Sequence, residues 1–180
     1  MLGTKFARSV ATAACAAAIA LSSAPAMAQT EHERAGAQRD WSVFAVGEGA
    51  ERVCWIVSKP KKWEARRGGA RVDASRGDIY LMVANRPAQN VRDEVSLVVG
   101  YPLKPDSTVR LDIGSDSFAL FVENDTAWSQ PADDARVVAS MKRGVEAVAT
   151  GVSARGTTTI DTFSLLGFTA ALDQAAALCK

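Results

Sequence analysis

The side chains with most chemistry to offer here are two cysteines, one histidine, a threonine run ending in an aspartate, and a dense set of arginines and lysines. Outside the N-terminal leader the cysteines are Cys54, in R-V-C-W-I-V, and Cys179, next to the C-terminus. Such a pair forms a disulfide, stays as two buried thiols, or links two molecules. Even with one histidine it cannot fill a tetrahedral zinc shell without carboxylates, so no metal site is expected. A Ser-His-Asp arrangement needs a histidine held in place. The sole histidine, His32, sits in a polar stretch without apolar period. Thr157, Thr158, Thr159 and Asp161 have the residue types of a nucleophile site, but a strand rich in branched side chains accounts for the same threonines. The pairs Asp93-Glu94 and Asp133-Asp134 are adjacent in sequence, so on a strand their carboxylates point to opposite faces. Gly68-Gly69 lacks the Lys-Ser/Thr that follows a phosphate-cradling loop. No catalytic residue is assigned, no cofactor is expected, and the chain is read as a non-enzyme.

The basic residues are concentrated. Lys59, Lys61, Lys62, Arg66, Arg67, Arg71 and Arg76 face only Glu64 and Asp73 in the same stretch, a local excess of +5. This basic, glycine-containing segment, a loop or irregular strand, is the candidate binding surface, with Lys59, Lys61, Lys62, Trp63, Arg66, Arg67 and Arg71 as its residues. Clustered guanidinium and ammonium groups suit anionic lipid, lipopolysaccharide phosphate, or an acidic envelope or host-surface protein, and Trp63 can pack on the same partner. The competing reading is a solvated loop. Removing Lys5 and Arg8 with the leader leaves 19 basic residues against 20 acidic ones, so no nucleic-acid partner is expected.

The elements that must position these residues are mostly strands. Trp41 to Glu48 and Arg52 to Ser58 make a hairpin around Gly49-Ala50-Glu51. Strands follow at Asp78 to Asn85, Glu94 to Gly100, Thr108 to Ile113 and Ser117 to Glu123, separated by Pro-, Gly- and Asp-containing turns. Val109, Leu111 and Ile113 alternate with Arg110 and Asp112, giving one wet and one buried face. Pro131 to Arg143 is a short helix, acidic at its start and basic at its end. Val145 to Ser153 and Thr157 to Phe163 are strands joined at Arg155-Gly156. A last helix runs from about Ser164 to Leu178, with Ser164 or Asp161 as cap and Gly167 as a cost within it. Its apolar stripe, Leu165, Phe168, Leu172, Ala175 and Cys179, turns Cys179 toward the core. Trp55, beside Cys54, is read as core packing. Short strands at regular spacing predict a β-sandwich with helices on an edge or end.

The N-terminus carries a targeting signature. Lys5 and Arg8 precede an uncharged apolar run, and Ala26-Met27-Ala28 is a small-x-small cleavage signal. The run is shorter than the roughly 20 residues of a membrane span. Cleavage after Ala28 is expected, leaving a flexible tail over 29–40 and one domain over 41–180, and no integral membrane segment. An even cysteine count in an exported chain favours a disulfide. It would close a loop worth about 4–5 kcal/mol in chain entropy.

Several segments in order resemble the invasion-associated locus B family of exported proteins, found mainly in alphaproteobacteria. They are Cys54-Trp55, Ile79 to Val83, Glu94-Val95-Ser96 with Gly100-Tyr101-Pro102, Ala127-Trp128, Met141 to Gly144, and Ser153 to Leu172 with Cys179. The resemblance implies an immunoglobulin-like β-sandwich in the periplasm or at the outer surface, outer-membrane associated or secreted, and a Cys54–Cys179 bond. It brings no agreed catalytic residues. The family name comes from a role in pathogen entry into host red cells, while many members look like proteins of free-living bacteria. The expected function is therefore an exported interaction protein, or a periplasmic structural or stress-related protein with no host partner.

Overall fold

The computed structural model describes residues 33–180. The expected leader, its expected cleavage point and His32 lie outside the described residues. Among the described residues twelve strands form: β1 Glu33–Gln38, β2 Trp41–Val46, β3 Val53–Ser58, β4 Lys62–Arg67, β5 Ala70–Arg71, β6 Tyr80–Arg86, β7 Val91–Val98, β8 Thr108–Ile113, β9 Asp116–Glu123, β10 Thr126–Trp128, β11 Glu146–Val152 and β12 Thr158–Ser164. Two helices join them, α1 Asp134–Arg143 and α2 Phe168–Leu178.

All strand pairs are antiparallel, in the order β1-β2-β3-β6-β7-β10-β9-β8-β11-β12-β4-β5. The sheet folds over, so residues of its two halves share one core, as a β-sandwich requires. Period-two patterning drives this. Trp41, Val43 and Ala45 of β2 are buried, as are Val109, Leu111 and Ile113 of β8. Trp41 Nε1 donates to the Ser164 carbonyl at 3.1 Å, and its ring meets Phe168 edge-on at 5.0 Å. Each such fully buried large side chain contributes about 1.5–3 kcal/mol.

Cys54 and Cys179 are joined, with Cα atoms 6.0 Å apart across 125 residues of sequence. The bond ties the end of α2 to β3. Phe168, Leu172 and Ala175 face the core from α2, and Leu165 is buried just before it. None of the described helices is long and apolar enough to cross a membrane.

Several expectations change. Residues 33–38 are not part of a flexible tail: β1 pairs along β2, and Gln174 of α2 donates to the Ala35 carbonyl at 3.1 Å. Backbone pairing at a sheet edge needs no apolar period, so the sequence carries no sign of it. The last helix starts at Phe168 rather than Ser164. Gly167 is its N-cap at φ 90°, and a Cβ there would stand 2.1 Å from the Gln38 carbonyl. Neither Ser164 nor Asp161 caps it: Ser164 ends β12, and Asp161 is buried within β12. Finally, β10 is a three-residue strand, too short to show a period.

Candidate functional site

The basic segment is a hairpin at one end of the sheet, β4 against β12 with β5 turning back on it. Alternation along β4 divides its side chains. Ala65 is buried, with Trp63 and Arg67 on its face, while Lys62, Glu64 and Arg66 lie on the other. The candidate residues therefore do not form one patch. Many also have carboxylates already. Lys61 meets Asp40 at 2.5 Å, Lys59 meets Asp78 at 3.5 Å, and Glu64 takes both Arg66 at 2.9 Å and Arg71 at 2.8 Å. The Arg66 hydrogen bond holds the Glu64 carboxyl below its ordinary range, and the Lys61 hydrogen bond does the same for Asp40. Lys62 makes no ion pair among the described residues.

Arg76, which the sequence places with the other cations, behaves differently. Its side chain is 3 % exposed and pairs with Asp161, 1 % exposed. The contact is bidentate, at 2.5 and 2.8 Å. Nε and Nη2 also donate to the Val99 carbonyl at 3.1 and 2.8 Å. The Trp63 and Tyr101 rings each lie 5.0 Å from the guanidinium carbon. This planar group thus has hydrogen-bond acceptors in its plane and aromatic rings nearby, the arrangement in which a desolvated arginine is stable. Trp63 therefore packs against Arg76 rather than standing free for a partner, although it remains 42 % exposed.

Thr157 and Thr159 of the threonine run are equally committed. Tyr101 Oη and Thr159 Oγ1 are 2.5 Å apart, and Thr157 Oγ1 accepts from Arg67 Nη2 at 2.7 Å and Nε at 3.2 Å. Burial pushes the Tyr101 hydroxyl up from its ordinary pKa. The carboxylate pairs are structural too. Asp134 is buried, and its Oδ1 accepts the Val95 N–H at 3.1 Å. Glu94 holds Arg86 at 2.6 Å.

Beside the arginine cage opens a cleft of about 410 Å³. Arg67 reaches it from β4, Arg155 from the β11–β12 turn, and Asp73 and Ser75 from the irregular segment after β5. Ser153 and Thr157 add hydroxyls, and Tyr101 and Pro102 close one side. That irregular segment is pinned at Gly77, whose N–H donates to the Gly100 carbonyl at 2.8 Å. Gly100 has φ +72°, and a Cβ on it would meet the Gly77 oxygen at 2.6 Å, so only glycine fits. Ser153 and Arg155 have no signal as site residues in sequence, because the cleft draws on segments far apart in the chain.

The family described as Invasion associated locus B (IalB) protein matches residues 41–176, from the first residue of β2 into α2. The chain belongs to the invasion associated locus B family. Among curated proteins and solved structures, none matches it. The matched span includes Cys54, the arginine cage and every residue of the cleft. It leaves out β1 and Cys179.

This invasion associated locus B chain also carries an apolar outer sheet face. Cys54 points into the core, so its neighbour Trp55 points outward, not into core packing. Trp55 stacks on Phe44, directly opposite, with centroids 5.6 Å apart and planes at 13°. The adjoining row crosses six strands: Ser42, Val57, Met82, Ser96, Trp128 and Phe121. The cleft can hold an anion, and this face can bury apolar area.

Proposed function

We propose that this invasion associated locus B protein is exported and works by binding, without turning over a substrate, at the cell envelope or on a host surface. The family is one of exported proteins, and the Cys54–Cys179 bond suits an oxidising compartment such as the periplasm. The observation that carries the reading is the cleft: Arg155 makes no hydrogen bond or ion pair among the described residues, and Arg67 is held only by Thr157. Their charge is available to an anionic envelope or host-surface protein, or to an anionic lipid. The nucleophile-type residues are tied up: Thr157 with Arg67, Thr159 with Tyr101, Asp161 with Arg76. That supports binding over catalysis.

A second reading, a periplasmic structural protein with no host partner, draws on the hairpin's compensated charge. Lys59, Lys61, Arg66 and Arg71 each already face a carboxylate. Exposed pairs of this kind add little to stability and leave little net field for a partner.

Capture by isolated cell envelopes and by host membranes separates the two. The oxidised chain is compared with Arg67→Glu/Arg155→Glu and with Lys62→Glu/Arg66→Glu. Capture that is saturable, weakened by salt and lost in the cleft variant supports the binding role. Equal capture by all three would remove cleft and hairpin from it. No capture by either membrane favours the structural reading.

A further inference from the structure

We infer that the cleft takes a hydroxylated oxyanion, of the kind an acidic sugar presents, in preference to bare phosphate. This rests on the cleft being the binding surface and adds what it binds. Three features of the lining decide the class.

The first is how the positive charge is placed. Arg76 is consumed by Asp161 and Val99, so it contributes a rigid wall rather than a free cation. Arg67 and Arg155 are the cations left to meet a ligand. A guanidinium has five N–H donors, and Arg67 sends its Nε and one Nη2 hydrogen to Thr157 Oγ1, so three remain. That donor fork matches a carboxylate or phosphate oxygen pair.

The second is Asp73, an acceptor-only carboxylate in the same lining, with no hydrogen-bond or ion-pair partner among the described residues. A bare phosphate is almost entirely acceptor and would confront that charge. A sugar acid presents its oxyanion to the arginines and its hydroxyl protons to Asp73. The same ligand therefore satisfies both signs of charge.

The third is the neutral lining. Ser75 and Ser153 bring hydroxyls that donate and accept, and Pro102 and Ala154 bring apolar surface for the C–H face of a ring. At about 410 Å³ the space falls within the roughly 300–1,000 Å³ of small-molecule sites.

The test titrates the oxidised chain by calorimetry with glucuronate, an alginate oligomer, glucose and inorganic phosphate. Saturable binding of glucuronate or of the oligomer, with glucose and phosphate at least tenfold weaker, is expected. Binding by the oligomer alone identifies a polysaccharide as the source, and binding by glucuronate alone a free sugar acid. Arg67→Gln with Arg155→Gln should weaken uronate binding tenfold or more, since each removed charge-assisted bond is worth about a factor of ten. Asp73→Asn should improve phosphate binding relative to uronate. All three positions are exposed, and circular dichroism confirms that each variant is folded. No binding of either uronate, equal binding of phosphate, or undiminished binding by the double arginine variant would overturn the inference. If envelopes are still captured through the cleft while neither uronate binds, only the ligand class falls. If envelope capture also ignores the cleft, the binding-surface reading falls with it.

Discussion

Arg76 and Asp161, 85 positions apart in sequence, meet in a two-bond ion pair from which water is almost wholly excluded. Arg76 lies on the irregular segment between β5 and β6, and Asp161 lies in β12. Their pairing anchors that segment to the sheet and sets one wall of the cleft. Val99, Trp63 and Tyr101 complete the enclosure, so four separate stretches of chain depend on one guanidinium.

Breaking this pair from one side leaves a buried charge without a counterion. Asp161→Ala or Arg76→Ala should lose about 3–5 kcal/mol of stability. Arg76→Ala with Asp161→Ala should lose clearly less than the two single changes summed. Urea denaturation of the oxidised proteins measures all of these. Additive losses would mean that the two residues act independently.

The disulfide spans 125 residues, so its constraint on the unfolded chain is large. Cys54→Ala with Cys179→Ala should cost about 4–5 kcal/mol on the chain-entropy estimate. The same shift should follow when the parent is unfolded in reductant, and the double variant should then be insensitive to reductant. An unchanged denaturation midpoint in reductant would refute this.

Gly167 leaves no room for a side chain. Its φ of 90° is unfavourable to L-residues, and the Gln38 carbonyl would lie 2.1 Å from a Cβ. Gly167→Ala should destabilise by more than the roughly 1–2 kcal/mol of a left-handed conformation alone. Thermal unfolding would show it as a lowered Tm, whereas Gly156→Ala, open around its Cβ position, should shift Tm less.

Asp134 gives stability an inverted pH dependence. Burial raises its folded pKa, so between the unfolded value near 4 and the raised folded value the native state holds more protons than the unfolded one. Its contribution is therefore present below that window and is lost as pH rises through it. Asp40 and Glu64, lowered by hydrogen bonds from Lys61 and Arg66, act oppositely and lose theirs as pH falls. Asp134→Asn keeps an acceptor for the Val95 N–H and removes the titration. Its stability relative to the parent should increase as pH is raised through this window. A constant difference between the two proteins across that range would contradict the assignment.

Much of this protein was legible in one dimension because it depends on local physics. Alternation placed Val109, Leu111 and Ile113 on one face of β8, and the stripe Phe168, Leu172 and Ala175 placed α2 on the core. Cys54 and Cys179 admitted a single intramolecular pair, and the ordered segments from Cys54 to Cys179 pointed to the family. What the chain could not display is where charge ends up. Lys61, Arg66 and Arg76 look alike in sequence, yet one meets Asp40, one meets Glu64 and one is buried on Asp161. Backbone and apolar patterns follow from periods of two and 3.6 residues, which neighbours in sequence supply. A salt bridge, a cleft or an edge strand such as β1 follows from which distant segments the folded-over sheet brings together, and only the tertiary structure decides that.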